Sequence, residues 1–455
     1  MRTAIIALAL GLTAPLAAWA APSPVGVAID AAAHRWLATT GAPSVSVAVV
    51  KDGQIVYEKA YGAARLFPLQ HPTTRTRYAI DSVSKEFTAA ALLSLQEGGR
   101  LNIDDKVAKY FPDLTGARDI TIKQLLSHTA GYRDYWPQDF NPPEMTRPTT
   151  TAAILSEWGR KPLDFKPGMD WQYSNTGFVI AGAIAEKVSG ESLMALLETR
   201  IFRPLHMNDV VEHDTTAPGT TDAAGYTRYG EGPIRPAPRE AAGWLFAASG
   251  LAMTPHDLAL WDISLIDRSL LQRSSYDAFY RPTILTNGRN THYSLGLNVV
   301  TDRGRPSLGH TGGGSGFLAA NRLWPGDKIA IVALTNNDWA RPDSLVDRIA
   351  FLVLKPDPAE ARALAVFADF QRGAVNRNLF TANGNAFLTP AVLADYRSGL
   401  APLGRPLQLT LSSETLRGGM RTRNWKIITA KGTADVTERG FPQGKLEEFM
   451  VSAAR

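Results

Sequence analysis

Apolar positions recur in two rhythms along this chain. Across residues 25–39 they follow a helical period with polar residues between them, which predicts an amphipathic helix. Residues 44–50 and 54–57 are instead β-branched-rich runs on either side of Lys51-Asp52-Gly53. Asp-Gly between such runs predicts a hairpin, because both turn positions take positive φ. Residues 84–96 are dense in Ala and Leu and carry no polar stripe beyond the first turn, so the reading is a helix buried on most sides. Residues 132–151, with Trp136-Pro137 and Asn141-Pro142-Pro143, have little periodicity. They predict a long surface loop of the kind that lines binding sites. Thr254-Pro255-His256-Asp257 has the chemistry of a helix start: a cap, a proline in the first turn and an acid three residues after the cap. Residues 317–324 and 329–335 flank Pro325-Gly326-Asp327 as a second hairpin, and a helix follows over 344–354.

Strands, many helices, strands and a helix, in that order, suit an antiparallel sheet packed against helices, the α+β class. The pattern breaks at Lys355-Pro356-Asp357-Pro358, where paired prolines end helices and favour a linker. Beyond it lie a helix over 359–372, another from Thr389-Pro390, a turn at Arg417-Gly418-Gly419, alternation over 420–427, and a turn at Pro442-Gln443-Gly444 before 446–451. The expected organisation is a leader over 1–20, a main unit over 21–355 and a small α+β unit over 359–455.

Composition narrows the class without naming a partner. The chain has 455 residues, 45% hydrophobic and 20% charged, an ordinary globular balance for more than one folded unit. Forty-eight basic residues against 43 acidic leave +5, with no run of like charge that would suggest a nucleic-acid or membrane tail. Arg2, a short apolar run and Ala18-Trp19-Ala20 are the parts of a signal peptide, with cleavage expected after Ala20 and no membrane anchor remaining. There is no cysteine, hence no lipid attachment site, disulfide or thiolate metal site. Export to a bacterial periplasm or medium is the expected destination.

Three short segments carry chemistry. In Ser82-Val83-Ser84-Lys85 the serine and lysine are three residues apart, nearly one helical turn, and can share a face. A serine at a helix N-terminus gains from the dipole, and its own N–H can face an oxyanion. A lysine amine held out of water is neutral more often and can accept the serine proton. In Tyr173-Ser174-Asn175, a tyrosine near a lysine cation would lose its proton more readily and relay it, and the asparagine can hold both lysine and substrate. In the glycine-rich run from Gly309 to Gly316, His310 and Thr311 can bind a substrate carboxylate, and the Gly313 N–H can be the second oxyanion donor. Each segment alone also has a plainer reading: a capped helix, a turn asparagine, a flexible loop.

The three together, in this order and spacing, resemble the serine β-lactamases and penicillin-binding peptidases. The chain is similar in particular to the class C β-lactamase-like superfamily, which includes DD-peptidases, D-amino-acid amidases and peptidases, and carboxylesterases. Residues 121–131, Ala248-Ser249-Gly250-Leu251 and Tyr293-Ser294-Leu295-Gly296-Leu297 extend the likeness over about residues 26–355. The resemblance implies an acyl-enzyme on Ser82, Lys85 and Tyr173 as proton carriers, and Asn175 with His310, Thr311 and Gly312 as substrate-binding residues. The backbone N–H groups of Ser82 and Gly313 would form the oxyanion hole. The fold it implies is an antiparallel sheet flanked by helices, with an all-helical lobe. The family's third motif usually begins with lysine, and here it is His310, which lowers the expectation of β-lactam hydrolysis and leaves esterase, amidase and carboxypeptidase chemistry open. If His310 binds an anionic substrate as a cation, affinity should fall as pH rises. The last hundred residues resemble the NTF2-like cone, a spacer or docking unit. His128 and the remaining histidines read as structural, with no metal-ligand spacing, so neither metal nor cofactor is expected. The expected partner is a small-molecule or peptide substrate, with cell-wall-derived molecules among the candidates, and not nucleic acid. The alternative is a catalytically silent penicillin-binding or cell-wall-sensing protein.

Overall fold

The computed structural model describes residues 23–138 and 140–454. The expected leader lies outside them. Helix α1 (Pro24–Thr40) begins on the Ser23 side chain, which accepts from the Gly26 N–H, and ends at Gly41 in the left-handed region. Strands β1 (Ser44–Lys51) and β2 (Gln54–Gly62) form the first hairpin, with Asp52 and Gly53 both at positive φ. Helix α2 (Ser84–Glu97) runs through the interior and helix α3 (Asn175–Ser189) packs against it. Helix α4 (Pro255–Asp267) starts on the predicted cap, the Asp257 N–H donating to Thr254 Oγ1 at 3.1 Å.

Strands β3 (Asn298–Asp302), β4 (Arg305–Gly314), β5 (Phe317–Trp324) and β6 (Ile329–Thr335) follow, and helix α5 (Asp343–Val353) closes the main unit. The sheet order is β3-β4-β5-β6-β1-β2, antiparallel throughout. Its centre, β1 against β6, joins residues almost the length of the unit apart, with Val45 opposite Thr335. The first seven residues of β1 are all buried, because the sheet is covered on both faces. Val45, Val47 and Val49 enter a core with α1 and α5, whereas Ala48 and Val50 enter the larger core with α2, α3 and α4. That alternation is the period of two for a strand read from two sides.

Beyond Lys355-Pro356 stands a separate sheet with its own core. Helices α6 (Pro358–Arg372) and α7 (Pro390–Leu400) lie on a four-stranded meander, β7 (Pro406–Arg417), β8 (Met420–Thr429), β9 (Thr433–Gly440) and β10 (Leu446–Ala454). Val366, Phe367 and Phe370 of α6 pack against Trp425, Ile427, Val436 and Phe449 of the sheet. The β7–β8 turn places Gly418 and Gly419 at positive φ. Among the described residues no helix is long and apolar enough to cross a membrane.

Candidate active site

Ser82 sits in a tight turn, Asp81–Val83, that feeds directly into α2. Asp81 has φ 45°, an unfavourable region for a side chain other than glycine, so the backbone ahead of Ser82 is held by its surroundings. Gly314 on β4 is part of that hold, since a Cβ there would come within 2.3 Å of Asp81 Oδ1.

Lys85 is fully buried one turn further on. Its Nζ lies 2.9 Å from Ser82 Oγ, 2.8 Å from Asn175 Oδ1 and 2.9 Å from the Ala248 carbonyl. Two of those partners can only accept. A neutral amine has two N–H donors and one lone pair, so donors to Asn175 and Ala248 leave the lone pair facing the one partner with a proton to give, the Ser82 hydroxyl. Burial moves Lys85 down to about 7, opposed by the carboxyls of Asp134 and Asp81.

Tyr173 closes the cluster from α3's side. Its hydroxyl neighbours Ser82, and Lys85 Nζ stands 4.8 Å from its ring centre. The expectation of an easily ionised tyrosine is reversed here. Burial pushes the phenol up, and the nearby Asp134 and Asp81 add to that, so Tyr173 holds its proton. Its ring lies on His128, with centroids 4.2 Å apart. His128 Nδ1 accepts from the Ser174 N–H at 3.1 Å, which fixes the segment entering α3.

Asn175 is oriented by a residue that no sequence motif pointed to. Asp134, in the predicted loop, accepts from the Asn175 N–H at 3.0 Å and from its amide Nδ2 at 3.2 Å, so Oδ1 is left to Lys85. The stretch around Ala248, noted only for its likeness, also acquires a role. It gives Lys85 a carbonyl, and Thr88 Oγ1 of α2 donates to the Ala247 carbonyl at 2.7 Å.

His310 is where the structure departs furthest from expectation. It is 5% exposed and both ring nitrogens are taken. Nδ1 lies 2.6 Å from the Thr311 carbonyl, which can only accept, so the proton is on Nδ1 and Nε2 accepts from Tyr293 Oη at 2.8 Å. Burial and the neighbouring Lys85 push its pKa down to about 3. A cationic His310 holding a substrate carboxylate is therefore corrected to a neutral imidazole with no donor to spare.

The strand itself remains suited to a substrate. β3 pairs with β4 only from Arg305 to Gly309, so one edge of the segment 310–314 has no strand partner among the described residues. N–H groups alternate sides along a strand. The His310 N–H donates to Asn321 Oδ1 on β5, which puts the Gly313 N–H, three residues on, at the open edge. Gly312 fits closely, since a Cβ there would stand 2.0 Å from the Ile80 carbonyl. Asn141 from the long loop reaches this end of the strand, its Nδ2 donating to Ser315 Oγ at 2.7 Å. Among the described residues no group of three His, Asp or Glu side chains is placed to hold a metal ion.

Fold and site define the class: an α+β serine hydrolase of the β-lactamase-related type. The β-lactamase family profile matches residues 29–354, and the chain belongs to that family. It is 27% identical over 308 residues to penicillin-binding protein 4* of Bacillus subtilis, covering 64% of this chain and 68% of that one. It is 28% identical over 304 residues to a D-aminopeptidase of Cereibacter sphaeroides, covering 65% of this chain and 57% of the relative's length. The crystal structure of a D-stereospecific amidohydrolase from Streptomyces superposes with a TM-score of 0.62 at 25% identity, over 71% of this chain and 97% of the other.

Proposed function

We propose that this chain hydrolyses amide or ester bonds through an acyl-enzyme on Ser82, with derivatives and short peptides of D-amino acids as the preferred class. Lys85 as neutral amine takes the Ser82 proton as the oxygen attacks the carbonyl carbon. The Ser82 and Gly313 N–H groups receive the developing oxyanion. The proton passes through Tyr173 to the leaving amine or alkoxide, and water releases the acyl group by the reverse route. The observation that carries this reading is the partner set of Lys85: two pure acceptors and one hydroxyl, around an amine kept out of water.

Two features favour amides over carboxylate-anchored β-lactams. His310 has no free donor for a carboxylate, and the open edge of β4 suits an extended amide backbone. The D-aminopeptidase and the D-stereospecific amidohydrolase similar to this chain are named for such substrates. The proposal includes a main unit ending near residue 355 and export to the periplasm or medium, on the strength of the N-terminal pattern. The test is purified protein against D-amino-acid amides, D-Ala-D-Ala peptides, short-chain p-nitrophenyl esters and a chromogenic cephalosporin, beside Ser82→Ala. Turnover of amides lost in Ser82→Ala with an unchanged melting point is the expected result. Equal turnover by Ser82→Ala, or cephalosporin as the best substrate, overturns it.

A further inference from the structure

The residue after Lys85 on α2 is Glu86, and both it and Asp262 of α4 are 0% exposed. Among the described residues no cation acts on either carboxyl. They meet instead at one amide. Asn321 Nδ2 on β5 donates to Asp262 Oδ1 at 3.0 Å and approaches Glu86 Oε2 at 3.5 Å, while Trp261 Nε1 donates to Glu86 Oε2 at 2.7 Å. Glu86 Oε1 and Asp262 Oδ2 are buried with no partner among the described residues.

Among the described residues the surroundings offer no other neutralisation. His310 and Tyr293, which face this region from β4 and from the loop before β3, are uncharged. Lys85 is turned to Ser82, and the Glu58–His256 pair between β2 and α4 is at the surface. The strands under α4 contribute Ala48, Val50, Ala330, Val332 and Leu334 to the same core. Two anionic carboxylates side by side in such a place are not sustainable, and the free oxygens Oε1 and Oδ2 are where protons can sit.

The consequence reaches the reaction through Asn321. Its amide NH2 must face the two acids, so its oxygen faces the His310 N–H, which it accepts at 3.0 Å. That contact sets which edge of β4 each N–H occupies, Gly313 included. We propose that Glu86, Asp262 and Asn321 are positioning residues, a proton-holding clamp that fixes the His310–Gly313 segment for catalysis only while the carboxyl pair is protonated. The inference rests on the serine-hydrolase reading, but its test does not depend on which amide or ester is cleaved.

The experiment measures kcat and KM from pH 6 to 10, with the best substrate found above, for wild type, Glu86→Gln, Asp262→Asn and Asn321→Leu. Gln and Asn copy the protonated acids and cannot ionise. Wild type should lose activity above about pH 8, where Asp262 is placed by its burial. Both Asp262→Asn and Glu86→Gln should stay within about threefold of wild type at pH 7, but only Asp262→Asn should lose the alkaline decline, because Glu86→Gln leaves Asp262 able to ionise. Asn321→Leu should drop at least tenfold at every pH, chiefly in kcat. Circular dichroism melts check folding, and should Asp262→Asn fail to fold, the Gly313 amide NMR signal of wild type decides: a shift across pH 8 supports the clamp and its absence overturns it. An alkaline limb unchanged in Asp262→Asn overturns the clamp, as does a loss at pH 7 in Glu86→Gln as large as in Asn321→Leu. A wild-type protein inactive on every substrate refutes the function proposed above instead, and the clamp is then refuted if the Gly313 amide signal, followed by NMR across pH 8, does not shift in wild type or shifts equally in Asp262→Asn.

Discussion

Lys85 offers the sharpest test, because geometry and titration make the same demand of it. If its lone pair takes the Ser82 proton, only the neutral form is active. With the amine moved down to about 7, about a tenth is neutral at pH 6, about half at pH 7 and about nine-tenths at pH 8. In Asp262→Asn, free of the alkaline decline, kcat/KM should therefore climb about tenfold from pH 6 to pH 8 along a single-proton curve, and in wild type about fivefold. Lys85→Arg keeps the charge and reach but cannot release a proton, and should cost about 10²–10⁴ in kcat/KM at all pH values. Stability gives an independent reading of the same shift. The folded state sheds this proton near pH 7 while the unfolded chain holds it to the ordinary lysine range, so the lysine penalises folding most below pH 7. Relative to Lys85→Met, wild-type stability should rise between about pH 7 and 10. Initial rates with a neutral substrate and urea melts at matched pH supply both curves. A flat rate profile from pH 5.5 to 8, or an inflection only above pH 9, would refute the neutral-amine base.

Three further outcomes are expected. Asp134→Ala leaves Asn175 without its two anchors and should lower kcat about 10- to 100-fold while costing about 1–3 kcal/mol in a urea melt, since buried donors lose their acceptor; a variant with wild-type kcat would remove Asp134 from the site. Gly312→Ala puts a methyl against the Ile80 carbonyl, where only 2.0 Å is available, and should destabilise by about 1–3 kcal/mol with a larger loss of activity. KM for an anionic substrate should be flat between about pH 5.5 and 8, since His310 is neutral throughout that range; a KM rising through pH 6.5 would restore a cationic role.

Much of this protein is visible in local patterns. The Asp52-Gly53 hairpin, the Thr254 cap, the buried helix after Ser82 and the β5–β6 pair each depend on residues a few positions apart, which is the range over which period, capping and turn chemistry operate. Ser82 and Lys85 are readable for the same reason, lying one helical turn apart. The tertiary structure decided what those groups meet. Asp134 and Asn175 are 41 residues apart, Lys85 and the Ala248 carbonyl 163, and Glu86 and Asn321 235. Protonation was decided there too. A side chain's charge at neutral pH depends on the solvent and partners around it, so His310, Tyr173 and Lys85 took the states that burial imposed rather than those their residue types suggest in water.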